Sequence, residues 1–389
     1  MFSAVDEQMM RRAIEIAVLG RYTTQPNPCV GCVITQGERI VGEGWHRKWG
    51  EPHAEVLALQ AAGDAARGAT AYVTLEPHSY QSRTPPCTAA LIRAGVRRVV
   101  SAVLDANPQV SGEGVRQLQA AGIEAPVGLL ADAAHELNPG FEKRMATGRP
   151  RVIVKSAISL DGRIALANGE SKWITSEAAR ADVQRVRARM SAVITGVDTV
   201  LADDPQMNVR DPAIEMLGRQ PIRVVLDSNL RMPPTARMLK LPGATLIFTA
   251  AATSAVASAT SATSFTEGHS AAEKLREAGA EVISSELDAE GRIDLDFVLR
   301  ELGRRLCNDV LVEAGPTLVG RILQLGIADE LITYVAPMLL GPDAQAMARL
   351  PRLQALNQAQ RYTLHGVDRI GDDVRMTLRP RAKPAADIL

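Results

Sequence analysis

Three side chains of the kinds that bind zinc, and one of the kind that moves protons, lie within one short stretch of this 389-residue chain: His53, His78 and Cys87, with Glu55. A catalytic zinc takes three protein ligands and keeps a fourth position for water. This set therefore suits hydrolysis by metal-activated water, with Glu55 free to shuttle protons. Two positions apart on a helix, His53 and Glu55 point about 200° away from each other and can converge only above a helix start. Pro52 puts them in that first turn. Free amides and the positive dipole end there favour a hydroxide or carboxylate, and Cys87, opening a second helix after Pro85-Pro86, gains the same support for its thiolate. Alone, His53 reads as a polar helix-end residue and Cys87 as a small buried filler. The joint pattern H-A-E, E-P-x and P-P-C over a helix, a strand and a helix points to a site. Cys29 and Cys32 have metal-pair spacing, but residues three apart on a strand face opposite ways, so they are expected to be a decoy. His46, His135, His269 and His365 lack partners at ligand spacing and read as ordinary surface or core residues.

The elements that must position these groups divide into two domains, since the chain is longer than one compact core usually serves. Thr147-Gly148-Arg149-Pro150 punctuates the chain between a helix-like segment and an apolar strand pattern. The expected division is therefore residues 1–147, a linker over 148–151, and 152–389. The first part reads as a helix over Glu7–Leu19, a hairpin of Val30–Ile34 and Ile40–Gly44, and a helix opening near Pro52. A strand over Ala71–Leu75, a helix from Pro86, a strand over Arg98–Leu104 and a further helix and strand follow. That is a three-layer α/β unit. In the second part, strand-like runs at Val152–Ile158, Ala192–Thr195, Ile222–Leu226, Thr245–Thr249, Val310–Glu313 and Leu331–Ala336 alternate with helical segments, which predicts a mostly parallel sheet covered on both faces. The Ala/Ser/Thr-rich stretch from Ala250 to Ala272 reads as a flexible surface excursion, and the tail after Arg379 as frayed.

Composition narrows the partners. With 44 basic and 44 acidic side chains the formal net charge is zero, so neither a nucleic-acid footprint nor attraction to an anionic membrane surface is expected. A small polar substrate fits better. No run of about 18 apolar residues and no basic-then-apolar N-terminal segment occurs, and four cysteines suit a reducing compartment, so a cytoplasmic protein is expected. The dinucleotide fingerprint G-x-G-x-x-G is absent, because Gly42-x-Gly44 and Gly112-x-Gly114 lack the third glycine and the context. Gly315-Pro316-Thr317 follows an apolar strand and opens a helix, where amides can meet a phosphate.

Eight motifs carry a resemblance over nearly the whole chain. Pro26-Asn27-Pro28-x-Val30-Gly31, Gly50-Glu51-Pro52-His53-Ala54-Glu55-Val56, Tyr72-Val73-Thr74-Leu75-Glu76-Pro77 and Arg83-Thr84-Pro85-Pro86-Cys87 resemble the deaminase half of the bifunctional riboflavin-biosynthesis deaminase/reductase family. Lys155-x-Ala157-x-Ser159-Leu160-Asp161-Gly162-Arg163, Trp173-Ile174-Thr175, Thr199-Val200-Leu201-Ala202-Asp203-Asp204-Pro205 and Val312-Glu313-Ala314-Gly315-Pro316-Thr317-Leu318 resemble its reductase half. The resemblance implies a cytidine-deaminase-like domain followed by a dihydrofolate-reductase-like one. The first would use zinc to deaminate a phosphoribosylated diaminopyrimidinone, and the second would reduce the ribosyl group to ribityl with NADPH. Carried over by position, Ala157, Trp173, Thr199, Asp203, Ser228, Gly315, Pro316, Thr317 and Leu318 would contact NADPH. Asn27, Arg83, Ser171, Arg187, Met207, Arg210 and Glu313 would contact substrate, although Arg187, between Arg185 and Arg189, also reads as part of a solvated helix face. The family further suggests a homodimer or homotetramer.

The chain departs from the family where E-P-C-S-H-x-G-[RK]-T-P-P-C is usual. It reads Glu76-Pro77-His78-Ser79-Tyr80-Gln81-Ser82-Arg83-Thr84-Pro85-Pro86-Cys87. Histidine at position 78 keeps a zinc donor but exchanges an anionic sulfur at about 2.3 Å for a neutral nitrogen at about 2.1 Å. Three readings follow: a bifunctional enzyme of the riboflavin pathway, or a paralogue feeding a toxoflavin-like secondary pathway; a reductase with a silent or retuned deaminase domain; and a noncatalytic regulator that binds a pyrimidine nucleotide. The first predicts that metal analysis of the purified protein finds about one zinc per chain. A metal-free chain that stays without deaminase turnover after zinc addition is the contrary result.

Overall fold

The computed structural model describes residues 2–81, 84–250 and 271–381. Arg83, residues 251–270 of the Ala/Ser/Thr-rich stretch and residues 382–389 of the tail lie outside them. The chain forms two compact units. One is Met1–Pro150 with Glu215–Gly218 and Gly303–Asn308, and the other holds Arg151–Ile214, Arg219–Leu302 and Asp309–Leu389.

The first unit is built on four strands in the order β2-β1-β3-β4. These are β1 (Gly31–Gln36), β2 (Arg39–Trp45), β3 (Thr70–Val73) and β4 (Arg98–Ser101), with β3 and β4 parallel and the others antiparallel. Alternation along each strand sends Cys32, Ile34, Ala71, Val73 and Val99 to one face and Val33, Tyr72 and Val100 to the other. Both faces are covered. Helix α2 (Ala54–Ala62) packs through Ala54 and Ala58 on the first face, and α1 (Ala4–Ala17) packs through Met9, Met10, Ala13 and Ile16 on the second. Helix α1 starts three residues before the expected Glu7, because Ser3 and Asp6 form a capping box.

The incomplete glycine pair on β2 has a packing role. A Cβ on Gly42 would lie 2.2 Å from the Ala58 carbonyl oxygen, and one on Gly44 would lie 2.4 Å from that of Ala54, so only glycine lets α2 sit against β2. The expected strand over Arg98–Leu104 ends at Ser101. The strand expected after α4 (Glu113–Ala120) is reduced to isolated bridges, Arg98 with Glu124 and Ser101 with Val127.

The second unit carries a nine-stranded sheet of order β10-β9-β8-β7-β11-β5-β12-β15-β14. Its parallel part comprises β5 (Arg151–Ser159), β7 (Ala192–Gly196), β8 (Ile222–Leu226), β9 (Thr245–Thr249), β10 (Ala280–Ser284), β11 (Asp309–Val312) and β12 (Glu330–Ala336). Six of these match the apolar runs read from sequence; β10, with Glu281 outward, was not among them. Hairpin β14 (Tyr362–Ile370) and β15 (Asp373–Pro380) adds an antiparallel edge to β12. It escaped the sequence reading because β14 is mostly exposed and has no continuous apolar run. Helix α7 (Glu177–Arg189) is capped by Ser176 and tied to the sheet by Asp182, whose carboxylate accepts the Tyr334 hydroxyl at 2.7 Å and Arg375 at 2.8 Å. Asp161 accepts the amides of Leu340 at 3.1 Å and Gly341 at 2.8 Å and so ties the turn after β5 to the segment that follows β12. Among the described residues no helix is long and apolar enough to cross a membrane.

Gly44→Ala tests the α2 contact. Because the nearest atoms belong to backbone, the variant is expected to lose about 1–3 kcal/mol of stability in the first domain, read as a lower midpoint in thermal unfolding.

Candidate active sites

His53 is the N-cap of α2, with φ −73° and ψ 166°, rather than a residue of its first turn as expected. Its ring consequently projects off the helix end, while Glu55 lies buried inside the turn behind it. Cys87 is the first residue of α3 (Cys87–Ala94), after Pro86 at the N-cap, and His78 follows Glu76-Pro77 in the irregular segment beyond β3. These three residues meet. Cys87 Sγ lies 3.3 Å from His53 Nδ1 and 3.2 Å from His78 Nδ1, and the donor atoms of all three lie within 4.8 Å of one another. Tetrahedral zinc with Zn–S about 2.3 Å and Zn–N about 2.05 Å needs S···N separations of about 3.6 Å. The set needs little movement to close on the ion. His53 Nε2 is engaged by the Thr84 hydroxyl at 3.3 Å, whereas the buried His78 Nε2 has no hydrogen-bond partner among the described residues. The donor set therefore fits zinc.

Burial sets the charges. Desolvation, with His78 and His46 nearby, holds His53 down at about 4, and desolvation also lowers His78, so both imidazoles are neutral donors at pH 7. Burial pushes the Cys87 thiol up and Glu55 adds to the effect, so a bound cation is what would make it a thiolate. Glu55 is raised by burial to about 7, with its backbone and Cys87 hydrogen bonds opposing. A carboxyl poised there can accept and return a proton near neutral pH.

The cluster opens on a cavity of about 230 Å³ that Asn27, His46, Trp49, Tyr80, Asp105 and Asn107 help to line. His46, set aside in the sequence, belongs to this site: Nε2 lies 3.2 Å from Asn27 Nδ2, and its ring stands edge-on to His53 with centroids 5.2 Å apart. No spacing rule could find it, because the packing of β2 on α2 makes the contact. His135 pairs instead with Glu142 at 2.8 Å, and His269 lies outside the described residues. Neither Cys29 nor Cys32 joins the metal cluster; the Asn138 side-chain amide binds both backbone groups of Cys29. Tyr80 meets His78 edge-on at 5.7 Å.

In the second unit, Arg187 leaves the solvated face that its arginine-rich helix suggested. It grips Glu313 with two bonds, 2.6 and 2.8 Å, and Lys155 Nζ lies 4.0 Å from the same carboxylate. Burial alone would raise the Glu313 carboxyl, but the charge and hydrogen bonds of Arg187, with help from Lys155 and Arg210, hold it down at about 2. Burial lowers Lys155. Arg210 has its amide on Gln184, and Met207 is buried with φ +49°. Gly315 caps the helix Pro316–Gln324, whose first turn holds Thr317 and Leu318, and Thr199 Oγ1 lies 3.9 Å from where a Cβ on Gly315 would be. Asp203 ends α8 (Val197–Asp203) and pairs with Lys172 at 3.0 Å, and Trp173 lies beneath the Arg180 guanidinium at 4.3 Å. Ala157 stands on β5 opposite Tyr334, Ser171 precedes α7, and the carbonyl of Ser228 accepts the Thr249 hydroxyl at 3.2 Å.

Fold and sites together define a zinc deaminase domain joined to a reductase domain. Residues 3–103 match the family model of the cytidine and deoxycytidylate deaminase zinc-binding region, and residues 150–376 match that of the RibD C-terminal domain. The chain is 46% identical to the riboflavin biosynthesis protein RibD of Escherichia coli K12, over 96% of this chain and 99% of that one. It is 44% identical to RibD of Haemophilus influenzae, over 98% and 99%. A solved structure of Acinetobacter baumannii RibD superposes with TM-score 0.87 at 44% identity, covering 97% of this chain and 99% of that one. The deaminase/reductase of Thermotoga maritima superposes with TM-score 0.81 at 32% identity, over 97% and 99%. The chain belongs to the bifunctional riboflavin-biosynthesis deaminase/reductase family. It is an enzyme acting on a small molecule, with a zinc-dependent deaminase domain and an NADPH-dependent reductase domain.

Removing the Glu313 charge would leave Arg187 and Lys155 buried without their counter-ion. Glu313→Gln is therefore expected to lower reductase kcat/KM at least tenfold and to destabilise the second domain by about 3 kcal/mol, with zinc content unchanged. Because the folded carboxyl is depressed, its contribution stands in full above the ordinary glutamate pKa of about 4.3 and is lost as pH falls toward about 2. Wild type and variant should thus converge in stability on acidification, as followed by chemical unfolding between neutral and acid pH.

Proposed function

We propose that the first domain deaminates 2,5-diamino-6-(5-phosphoribosylamino)pyrimidin-4-one and that the second reduces the ribosyl group of the product to ribityl. The observation that carries the first step is the meeting of His53, His78 and Cys87 beside a buried carboxyl, Glu55, raised to about 7. Zinc, held by those three donors, supplies the Lewis acid that makes water nucleophilic at neutral pH. Glu55 takes a proton from that water as its oxygen bonds to the amino-bearing ring carbon, then gives it to the nitrogen as the C–N bond breaks and ammonia leaves. Asn27, fixed by His46, orients the pyrimidine, and Arg83 is the cation suited to the phosphate. One thiolate fewer than the family pattern leaves the metal centre more positive, which favours an acidic water and supports retained chemistry at His78.

For the second step NADPH supplies the hydride. Its contacts are assigned to Ala157, Trp173, Thr199, Asp203, Ser228 and the turn Gly315-Pro316-Thr317-Leu318. Ser171, Met207 and Arg210 join Arg187 and Glu313 on the substrate. Lys155, buried beside Glu313 with its pKa lowered, is the proton source: it would give its proton to the ribose ring oxygen as the ring C–O bond opens, balancing the hydride that bound NADPH would supply.

We further propose that the junction lies at residues 148–151, that the enzyme works in the cytoplasm, and that it is a homo-oligomer. The exposed edge strand β14, with Leu364 at 54% and Val367 at 55% exposure, is the surface that favours association with a second copy.

A coupled assay tests both steps on one sample. Starting from the aminated precursor, ammonia release and NADPH oxidation are expected in equal amounts, and Cys87→Ser is expected to lose zinc and deamination while reducing the deaminated intermediate normally. NADPH oxidation from the deaminated intermediate alone would leave a reductase with a silent first domain.

A further inference from the structure

One buried carboxylate of the first domain takes no part in the steps above. Glu76, 2% exposed, stands two residues before His78. Its Oε2 accepts the backbone amides of Asp105 at 3.1 Å and Gly112 at 2.9 Å, and its Oε1 accepts that of Val115 at 3.1 Å. Gly112 is the N-cap of α4 and has no side chain to offer, so Glu76 caps that helix from another part of the chain, where the positive helix end favours a carboxylate. Its own amide is anchored on the Val103 carbonyl at 2.9 Å. The approach is close: a Cβ on Gly114 would lie 2.1 Å from the Pro77 oxygen.

A second tie reaches the same helix. Gln117 on α4 donates to the Ser79 carbonyl at 3.3 Å and accepts the Thr88 hydroxyl at 2.8 Å. The residues that follow His78 and Cys87 are thereby bound to α4 as well. Between β4 and α4 runs the segment from which Asp105, Asn107 and Val110 line the cavity together with His53, Glu55 and His78. One side chain thus joins the segment that carries a metal donor to the wall that faces it.

We propose that Glu76 is a positioning residue for deamination: its carboxylate fixes the 105–112 wall against the His78-bearing segment and so sets the width of the slot that receives the planar pyrimidine ring. The inference rests on the reading of this cavity as the deaminase site. Ionised glutamate suits three converging donors because it is acceptor-only, whereas glutamine would turn an NH2 toward at least one amide N–H. The Glu76 backbone keeps its bond to Val103 in such a variant, so the segment with His78 stays while the wall is released.

Glu76→Gln in the full chain, with deaminase KM and kcat measured separately, tests this. Loss of one or two charge-assisted hydrogen bonds predicts a rise in KM of about ten- to a hundredfold, with kcat within about threefold, zinc content unchanged and reductase turnover unchanged. Hydrogen exchange should show the amides of Asp105, Gly112 and Val115 slow in the wild type and markedly faster in the variant. An unchanged KM, or a rise seen only together with zinc loss, overturns the proposal. Should the variant not fold, wild-type exchange decides: protection of those three amides supports the clasp, and rapid exchange overturns it. A wild-type chain that does not deaminate removes the reading of the cavity and this proposal with it. Wild-type deamination with an indifferent Glu76→Gln removes this proposal alone.

Discussion

The first domain depends on bringing two helix N-termini to one point. His53 caps α2, Cys87 opens α3, and their donor atoms stand 3.3 Å apart. Two positive helix ends would repel each other around an empty space. An anionic sulfur, a carboxyl and a solvent-derived oxygen are what such ends favour. The close seat of α2 on β2, made possible by Gly42 and Gly44, brings His46 against His53 and turns a helix end into a pocket wall.

A contrasting solution holds the second domain's charged cluster. There the charged groups are paired with one another, Arg187 gripping Glu313 with Lys155 close by. Pairing spares three buried ionisable groups the penalty of isolated charge. The first cluster lies at two helix starts, whereas the second joins the middle of β5, through Lys155, to the last turn of α7, through Arg187. The supporting sheets differ, since one is a small mixed sheet between two helical layers and the other a long parallel sheet with an antiparallel edge.

The departure at position 78 is local in sequence but not in structure. The imidazole of His78 lies with centroid 4.7 Å from that of His53 and 5.7 Å from Tyr80, so replacing a thiolate has also built a run of tilted and edge-on rings beside the cavity. Such rings add apolar, planar surface next to the metal donors. The change therefore bears on what the pocket accepts as much as on how the metal is held.

Much of this was legible from residue types and order. The parallel strands at Ile222–Leu226 and Thr245–Thr249 show as apolar runs because both of their faces are buried, and the donor set shows because zinc chemistry demands particular atoms. The hairpin Tyr362–Pro380 was not legible, because an exposed edge leaves no hydrophobic period. Nor was the place of His46, which the packing of β2 on α2 decides, or the pairing of Arg187 with Glu313 and the clasp at Glu76, which join residues far apart in sequence. The sequence by itself determined the chemistry on offer: the donors, the proton carrier and the glycines that permit close packing. Only the tertiary structure decided which of these groups meet, because desolvation and contact, which set a pKa and a coordination geometry, depend on distances through space rather than along the chain.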